Sequence, residues 1–127
     1  MLPEKTILRV LRAALTTGGD FAEIFCEDTS TTSINMINGR VEEGVAGRDF
    51  GVGIRIFQGT HSVYAYTNDL SEANLVRVAK EAAAALPGSP LGDTLVLDCC
   101  PVPNAHIVKL RPGEVSQARK VEVMREA

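Results

Sequence analysis

The sequence predicts an α+β fold: a mainly antiparallel sheet of about five strands, in two hairpins plus one, with helices packed on one face. Three observations predict it. An apolar stripe of helical spacing opens the chain, and a second helical segment follows at about residue 72. Between them lie two stretches of alternating residues with turn signals at their centres. No strand–helix alternation occurs there, so the strands pair through hairpins and not through crossover helices.

Residues 4–17 form the first predicted helix, with Ile7, Leu8, Leu11 and Leu15 as its apolar stripe. Gly18-Gly19-Asp20 stops it. "FAEIFCEDT" (Phe21–Thr29) alternates in part and carries aromatic and branched residues, which predicts a strand.

"TTSINMINGRVEEGV" (Thr31–Val45) has the clearest local signal. Asn38-Gly39 suits a two-residue type I′ turn, where both positions need positive φ. Met36 then faces Val41, and Ile34 faces Glu43. Ile34, Met36, Val41 and Val45 share a face expected to be mostly buried. Ser33, Asn35, Arg40 and Glu42 share the wet one.

Phe50–Phe57 and Thr60–Thr67 form the second hairpin, around a turn at Gln58-Gly59. A two-residue turn pairs Ile54 with Val63 and Val52 with Ala65. It sets Gly53 opposite Tyr64 and Gly51 opposite Tyr66, so each ring covers a glycine. A four-residue turn keeps that facing, and a three-residue turn breaks it.

In "TNDLSEANLVRVAKEAAAALPG", Ser71 is the expected N-cap, Glu72 suits the positive helix end, and Leu70 can staple to Leu75. Leu75, Val78, Ala79, Ala82 and Leu86 make the buried stripe, and Pro87-Gly88 end the helix. A proline-rich loop follows, then "HIVKL" as one more short strand, then a helix from about Glu114. The predicted organisation is an α+β core over 1–90 and a loop-rich extension with a further helix over 91–127. A helix that meets the chain end with no stop signal is expected of a fragment, or of a chain cut inside a helix.

Composition excludes some functions. With 127 residues, 45% hydrophobic and 23% charged, the chain is an ordinary globular domain. A net charge of −3, with thirteen scattered Lys and Arg, argues against direct nucleic-acid binding. No apolar run approaches the roughly 18–20 residues of a membrane span. "MLPEKTILRVLRAAL" carries charges inside its apolar pattern, unlike a signal peptide. Three cysteines, two of them adjacent, give no disulfide framework and fit a reducing cytoplasm.

The motifs resolve mostly to structure. Asp49-Phe50-Gly51 spells a kinase tripeptide, but no His-Arg-Asp accompanies it. Gly51 and Gly53 sit inside an alternating strand with no Gly-Lys-Ser/Thr after them, so they cradle no phosphate. Neither His61 nor His106 opens a His-Glu-x-x-His run, and no cysteine pair has ligand spacing. Cys26 is expected to be buried as a small hydrophobe. Cys99-Cys100 allows redox or metal chemistry, although its charged neighbour, Asp98, has the wrong sign to activate a thiol. Glu42 and Glu43 point to opposite faces and cannot act as a carboxylate pair. From the residues alone there is no catalytic, cofactor-binding or metal-ligating set.

Four segments, in order, carry a resemblance: Gly19-Asp20-Phe21-Ala22-Glu23, Asn38-Gly39-Arg40-Val41-Glu42-Glu43, Gly51-Val52-Gly53-Ile54-Arg55 and Tyr64-Ala65-Tyr66-Thr67-Asn68-Asp69-Leu70-Ser71. Together they resemble the N-terminal domain of the TldD/PmbA family, also called modulators of DNA gyrase and classed as zinc metallopeptidases. The likeness covers about residues 5–86 and leans toward the TldD-like branch. It implies a cytoplasmic two-domain protein whose zinc is held, in the later domain, by a His-Glu-x-x-x-His motif plus a cysteine. None of those ligands maps onto His61, His106, Cys26, Cys99 or Cys100. This chain would then be non-catalytic, shaping the substrate cavity for small or unfolded peptides. It would also meet a PmbA/TldE-like sister subunit or a second copy of itself. Arg55, Tyr64 and Tyr66 are the candidate peptide or partner contacts, against the plainer reading of a solvated arginine and tyrosines that cover glycines. Two alternatives are a stand-alone protein-interaction or regulatory module and a small enzyme that uses Cys99-Cys100.

Overall fold

The structure is a computed structural model. It describes residues 2–86, 88–90, 92, 95, 97 and 106–127. The expectations for Cys99-Cys100, and for Pro87 as a helix stop, lie outside these residues.

The element order is α1 (Glu4–Ala14), β1 (Phe21–Ile37), β2 (Arg40–Gln58), β3 (His61–Thr67), α2 (Glu72–Ala84), a 3₁₀ turn (Pro112–Glu114) and α3 (Gln117–Glu126). The α+β class and the antiparallel sheet are as the sequence predicts. The strand count is not: among the described residues one sheet of three strands, ordered β1-β2-β3, replaces about five. Phe21–Thr29 and Thr31–Ile37 run on as β1, and Arg40–Val45 and Phe50–Phe57 run on as β2. The Thr/Ser-rich stretch 29–33 favours extended backbone. Gly44 and Gly47 keep ordinary negative φ, so neither breaks the strand. His106–Leu110 is irregular and not a strand.

The chain divides into two compact units, Met1–Glu27 with Phe50–Cys99, and Asp28–Asp49 with Cys100–Ala127. The core of the first unit is aliphatic. Val52, Ile54 and Ile56 alternate inward from β2 and are fully buried. Val10, Ala13 and Ala14 from α1, and Leu75, Val78, Ala79, Ala82, Ala83 and Leu86 from α2 and its end, close over them. Ala22, Ile24, Val63 and Ala65 pack at the margin. The predicted stripe of α2 is therefore correct. That of α1 is rotated: Thr6, Val10, Leu11, Ala13 and Ala14 are buried, while Ile7, Leu8 and Leu15 are half-buried. Small residues let α1 and α2 approach closely, and the larger Ile7 and Leu8 flank that seam.

Ser71 occupies the N-cap of α2, but its side chain caps nothing. Its N–H donates instead to Asp69 Oδ1 at 2.9 Å, an Asx turn. Glu72 takes the capping region's charge. It accepts from Thr6 Oγ1 at 2.7 Å and from Arg9, tying α2 to α1. α3 starts three residues later than expected, at Gln117, after the 3₁₀ turn. Ser116 Oγ accepts from Arg119 N–H at 3.3 Å as its N-cap.

In the second unit, Asn38 (φ 49°) and Gly39 (φ 75°) both adopt positive φ, as the type I′ turn requires. The expected buried face does not form. Val41 and Val45 are 45% and 50% exposed, and Ile34 and Met36 are only half-buried. No residue of α3 is buried, so the ribbon of residues 28–49 has no aliphatic layer like that of the first unit.

Candidate functional site

The second hairpin turns at Gly59-Thr60, one residue later than predicted. Gln58 pairs with His61, Ile54 with Ala65, Gly53 with Tyr66 and Arg55 with Tyr64. Gly59 alone has positive φ (56°), the sign pattern of a type II′ turn. Relative to the predicted pairing the register slips by two, which leaves every side chain on its predicted face. The glycine–tyrosine packing survives by a diagonal lean. A Cβ at Gly53 would strike the Tyr64 ring, and one at Gly51 would strike the Tyr66 ring. The lean follows from side-chain reach, because diagonal neighbours lie within range of an aromatic ring.

The sheet face turned away from the helices is aromatic. The chain has four Phe, two Tyr and no Trp. None of these six is in the buried core. By alternation Phe21 and Phe25 of β1, Phe57 of β2, and Tyr64 and Tyr66 of β3 share the outer face. Phe21, Phe25, Tyr64 and Tyr66 are 55%, 58%, 51% and 49% exposed. Phe21 and Phe57 pack with ring centroids 5.8 Å apart.

Arg55 lies within this face. Its Nη1 is 3.3 Å from Glu23 Oε1, and its guanidinium lies 5.4 Å from the centroid of Tyr64. Both carboxylate and guanidinium are nearly half exposed, so the pair contributes on the order of 0–1 kcal/mol. It orients the cation more than it stabilises the fold. Glu23, Phe25, Gly53, Arg55 and Tyr64 line a depression of about 380 Å³. Gly53 keeps it open, because the Tyr64 ring lies where a side chain would stand.

Arg55, Tyr64 and Tyr66, the candidate contacts, thus lie on one face of the sheet. The sequence reading did not single out the other members of the face, Glu23, Phe21, Phe25 and Phe57. The signal was the strict alternation of Phe21, Glu23 and Phe25 against Ala22 and Ile24. His61 is exposed at the start of β3, and His106 is exposed in an irregular segment. Cys26 is exposed rather than buried. The core draws on β1 only as far as Ile24, one alternation earlier.

Among the described residues no group of three or more His, Cys, Asp or Glu gathers where it can hold a metal ion. The described residues do not fit a zinc site. Nor is any helix among them long and apolar enough to cross a membrane. The arrangement is suited to contact: flat rings, one oriented cation, and β3 at the sheet edge.

Fold and face together define a small α+β domain, with two helices behind a sheet whose outer face is aromatic. The model of PmbA/TldA metallopeptidase domain 1 matches residues 22–86. That stretch is about half of the chain, and it runs from β1 through α2. The chain belongs to the PmbA/TldA metallopeptidase family. A search of the curated proteins finds none that matches.

Proposed function

We propose that this chain is the non-catalytic, peptide-positioning first domain of a TldD-like zinc metallopeptidase of the cytoplasm. The observation that carries the reading is the outer sheet face, where the rings and Arg55 meet in a domain whose aromatic residues all lie outside the core. An extended peptide would lay apolar side chains on Tyr64, Tyr66 and Phe25. Its carboxylates would compete with Glu23 for Arg55. β3, as an edge strand, has backbone groups to offer a parallel or antiparallel peptide. On this reading a later domain would hold the zinc through a His-Glu-x-x-x-His motif and a cysteine, and the metal would supply activation of water for peptide hydrolysis.

The same reading assigns the exposed ribbon of residues 28–49 to contact with a PmbA-like sister subunit or a second copy. Ile37, Val41 and Val45 are each at least 45% exposed there. A two-stranded ribbon without a covered face is marginal on its own. An exposed free cysteine, Cys26, suits a reducing compartment.

Fluorescein-labelled β-casein, an unfolded substrate, tests the face. Replacing Tyr64 and Tyr66 together with Ser weakens its binding by about tenfold in fluorescence anisotropy, because two stacking surfaces are lost. Arg55→Ala acts more weakly and most on acidic peptides. Unchanged affinity in a double variant with native circular dichroism overturns the proposal.

A further inference from the structure

β2 runs down the middle of the depression on the outer sheet face and supplies Gly53 and Arg55. β1 supplies Glu23 and Phe25 on one side, and β3 supplies Tyr64 on the other. Both flanking rings are more than half exposed. At about 380 Å³ the depression is near the lower end of binding clefts, about 300–1,000 Å³. It has room for one bulky side chain and not for a run of residues. The charged groups that line it belong to one pair, with Arg55 Nη1 3.3 Å from Glu23 Oε1. The lining therefore carries no net charge.

We infer that this depression anchors one aromatic side chain of the bound peptide, Phe, Tyr or Trp, an inference that rests on the peptide-contact reading of this face. A carboxylate side chain reaches Arg55 only by displacing Glu23, so one exposed ion pair replaces another with little net gain. A ring needs no such exchange. It meets Phe25 and Tyr64 in the tilted or offset arrangements that aromatic pairs prefer. Phe21 and Phe57, on the same face, already pack in that way, at 5.8 Å and 47°. The Arg55 guanidinium already lies 5.4 Å from the centre of one ring. A cation against a ring is a contact that an aliphatic side chain cannot make. Leu would fill the same space without either contact. Gly53 supplies the room, because a side chain there would displace the Tyr64 ring.

The probes are short unlabelled peptides of Ser, Thr and Gly that differ only in one central residue, Phe, Leu or Glu. Each competes with fluorescein-labelled β-casein for the whole chain, read by anisotropy. The Phe peptide should displace casein at a concentration about three- to tenfold lower than the Leu peptide, with the Glu peptide weaker than both. Gly53→Ala, which moves the Tyr64 ring, should bring the Phe and Leu peptides within about twofold of each other. Should that variant not fold, Arg55→Met, which keeps an unbranched stem and removes the cation, gives the same readout. Glu23→Gln keeps the shape and takes the carboxylate from Arg55. It should improve the Glu peptide by at least about threefold and leave the Phe peptide within about twofold. A Phe peptide no better than the Leu peptide overturns the inference, whether both displace casein or neither does, while casein binding itself upholds the reading of the face. A Phe preference that persists in the folded variants also overturns it, as does an unchanged Glu peptide in Glu23→Gln. A chain that binds no casein loses the peptide-contact reading and this inference together.

Discussion

Gly51 and Gly53 stand two residues apart in one strand, and they differ in what a methyl group would meet. At Gly53 the three nearest atoms all belong to the Tyr64 side chain, which is half exposed and can give way outward. At Gly51 a Cβ would also come within 2.7 Å of the Thr67 carbonyl oxygen, which is backbone in the neighbouring strand. Gly51→Ala should therefore cost about 1–3 kcal/mol, as overpacking does. Gly53→Ala should stay within about 1 kcal/mol of neutral and move the Tyr64 ring instead. Urea unfolding of both variants, with Tyr fluorescence for the ring, checks the order. A costlier Gly53→Ala would show that the ring is fixed. The two glycines were legible from the sequence, since strand alternation set them on the tyrosine face. The difference between them was not, because it depends on which backbone atom of β3 lies nearest.

At the scale of elements, the hairpins differ in how much their turns decide. Asn38 and Gly39 both sit at positive φ, where a side chain is strained. Nothing lies within 4 Å of a Cβ built at Gly39 or at Gly47, so only backbone conformation separates these positions. Gly39→Ala should cost about 1–2 kcal/mol. Gly47→Ala should be neutral or slightly stabilising, since it removes freedom from the unfolded chain. Amide hydrogen exchange across residues 28–49 reads both effects locally, and equal exchange in the two variants would count against the turn as the ribbon's anchor. The strand merger belongs to this scale too. The predicted strands break at Ser30 and between Val45 and Phe50. Nothing in those stretches forbids extended backbone, and cross-strand pairing carries the strands through.

At the scale of the whole molecule, three carboxylates are held below the ordinary carboxylate range, two by partners on other elements and one within its own loop. The Thr6 hydroxyl, and then Arg9, does this to Glu72. The Ser71 N–H does it to Asp69, and the Arg48 guanidinium, at 2.7 Å, does it to Asp28. A depressed folded-state value means that the unfolded chain takes up protons first as pH falls. The stability these groups contribute is complete above the unfolded carboxylate range, and is lost as pH drops through that range toward the lower folded values. The urea midpoint should thus fall between pH 6 and 3, and Glu72→Gln should show a smaller fall from a lower starting point. An unaltered pH slope in that variant would mean the link between α1 and α2 carries no proton coupling. All three groups are at the surface, so the effect on each is modest and weakens with salt.

The sequence by itself determined the α+β class, the Asn38-Gly39 turn, the stripe of α2 and the faces of the strands. Each rests on periodicity or on backbone chemistry that acts within a few residues. It also placed the chain's likeness to a peptidase family, which the match over residues 22–86 bears out. Only the tertiary structure decided the rest. The seam between α1 and α2 accepts small residues, which turned the stripe of α1 toward Val10, Ala13 and Ala14. A two-residue slip changed the partners of β2 and β3 without changing their faces, because side chains alternate with a period of two. The ion pair of Arg55 with Glu23 joins residues 32 positions apart, a separation that no local pattern encodes.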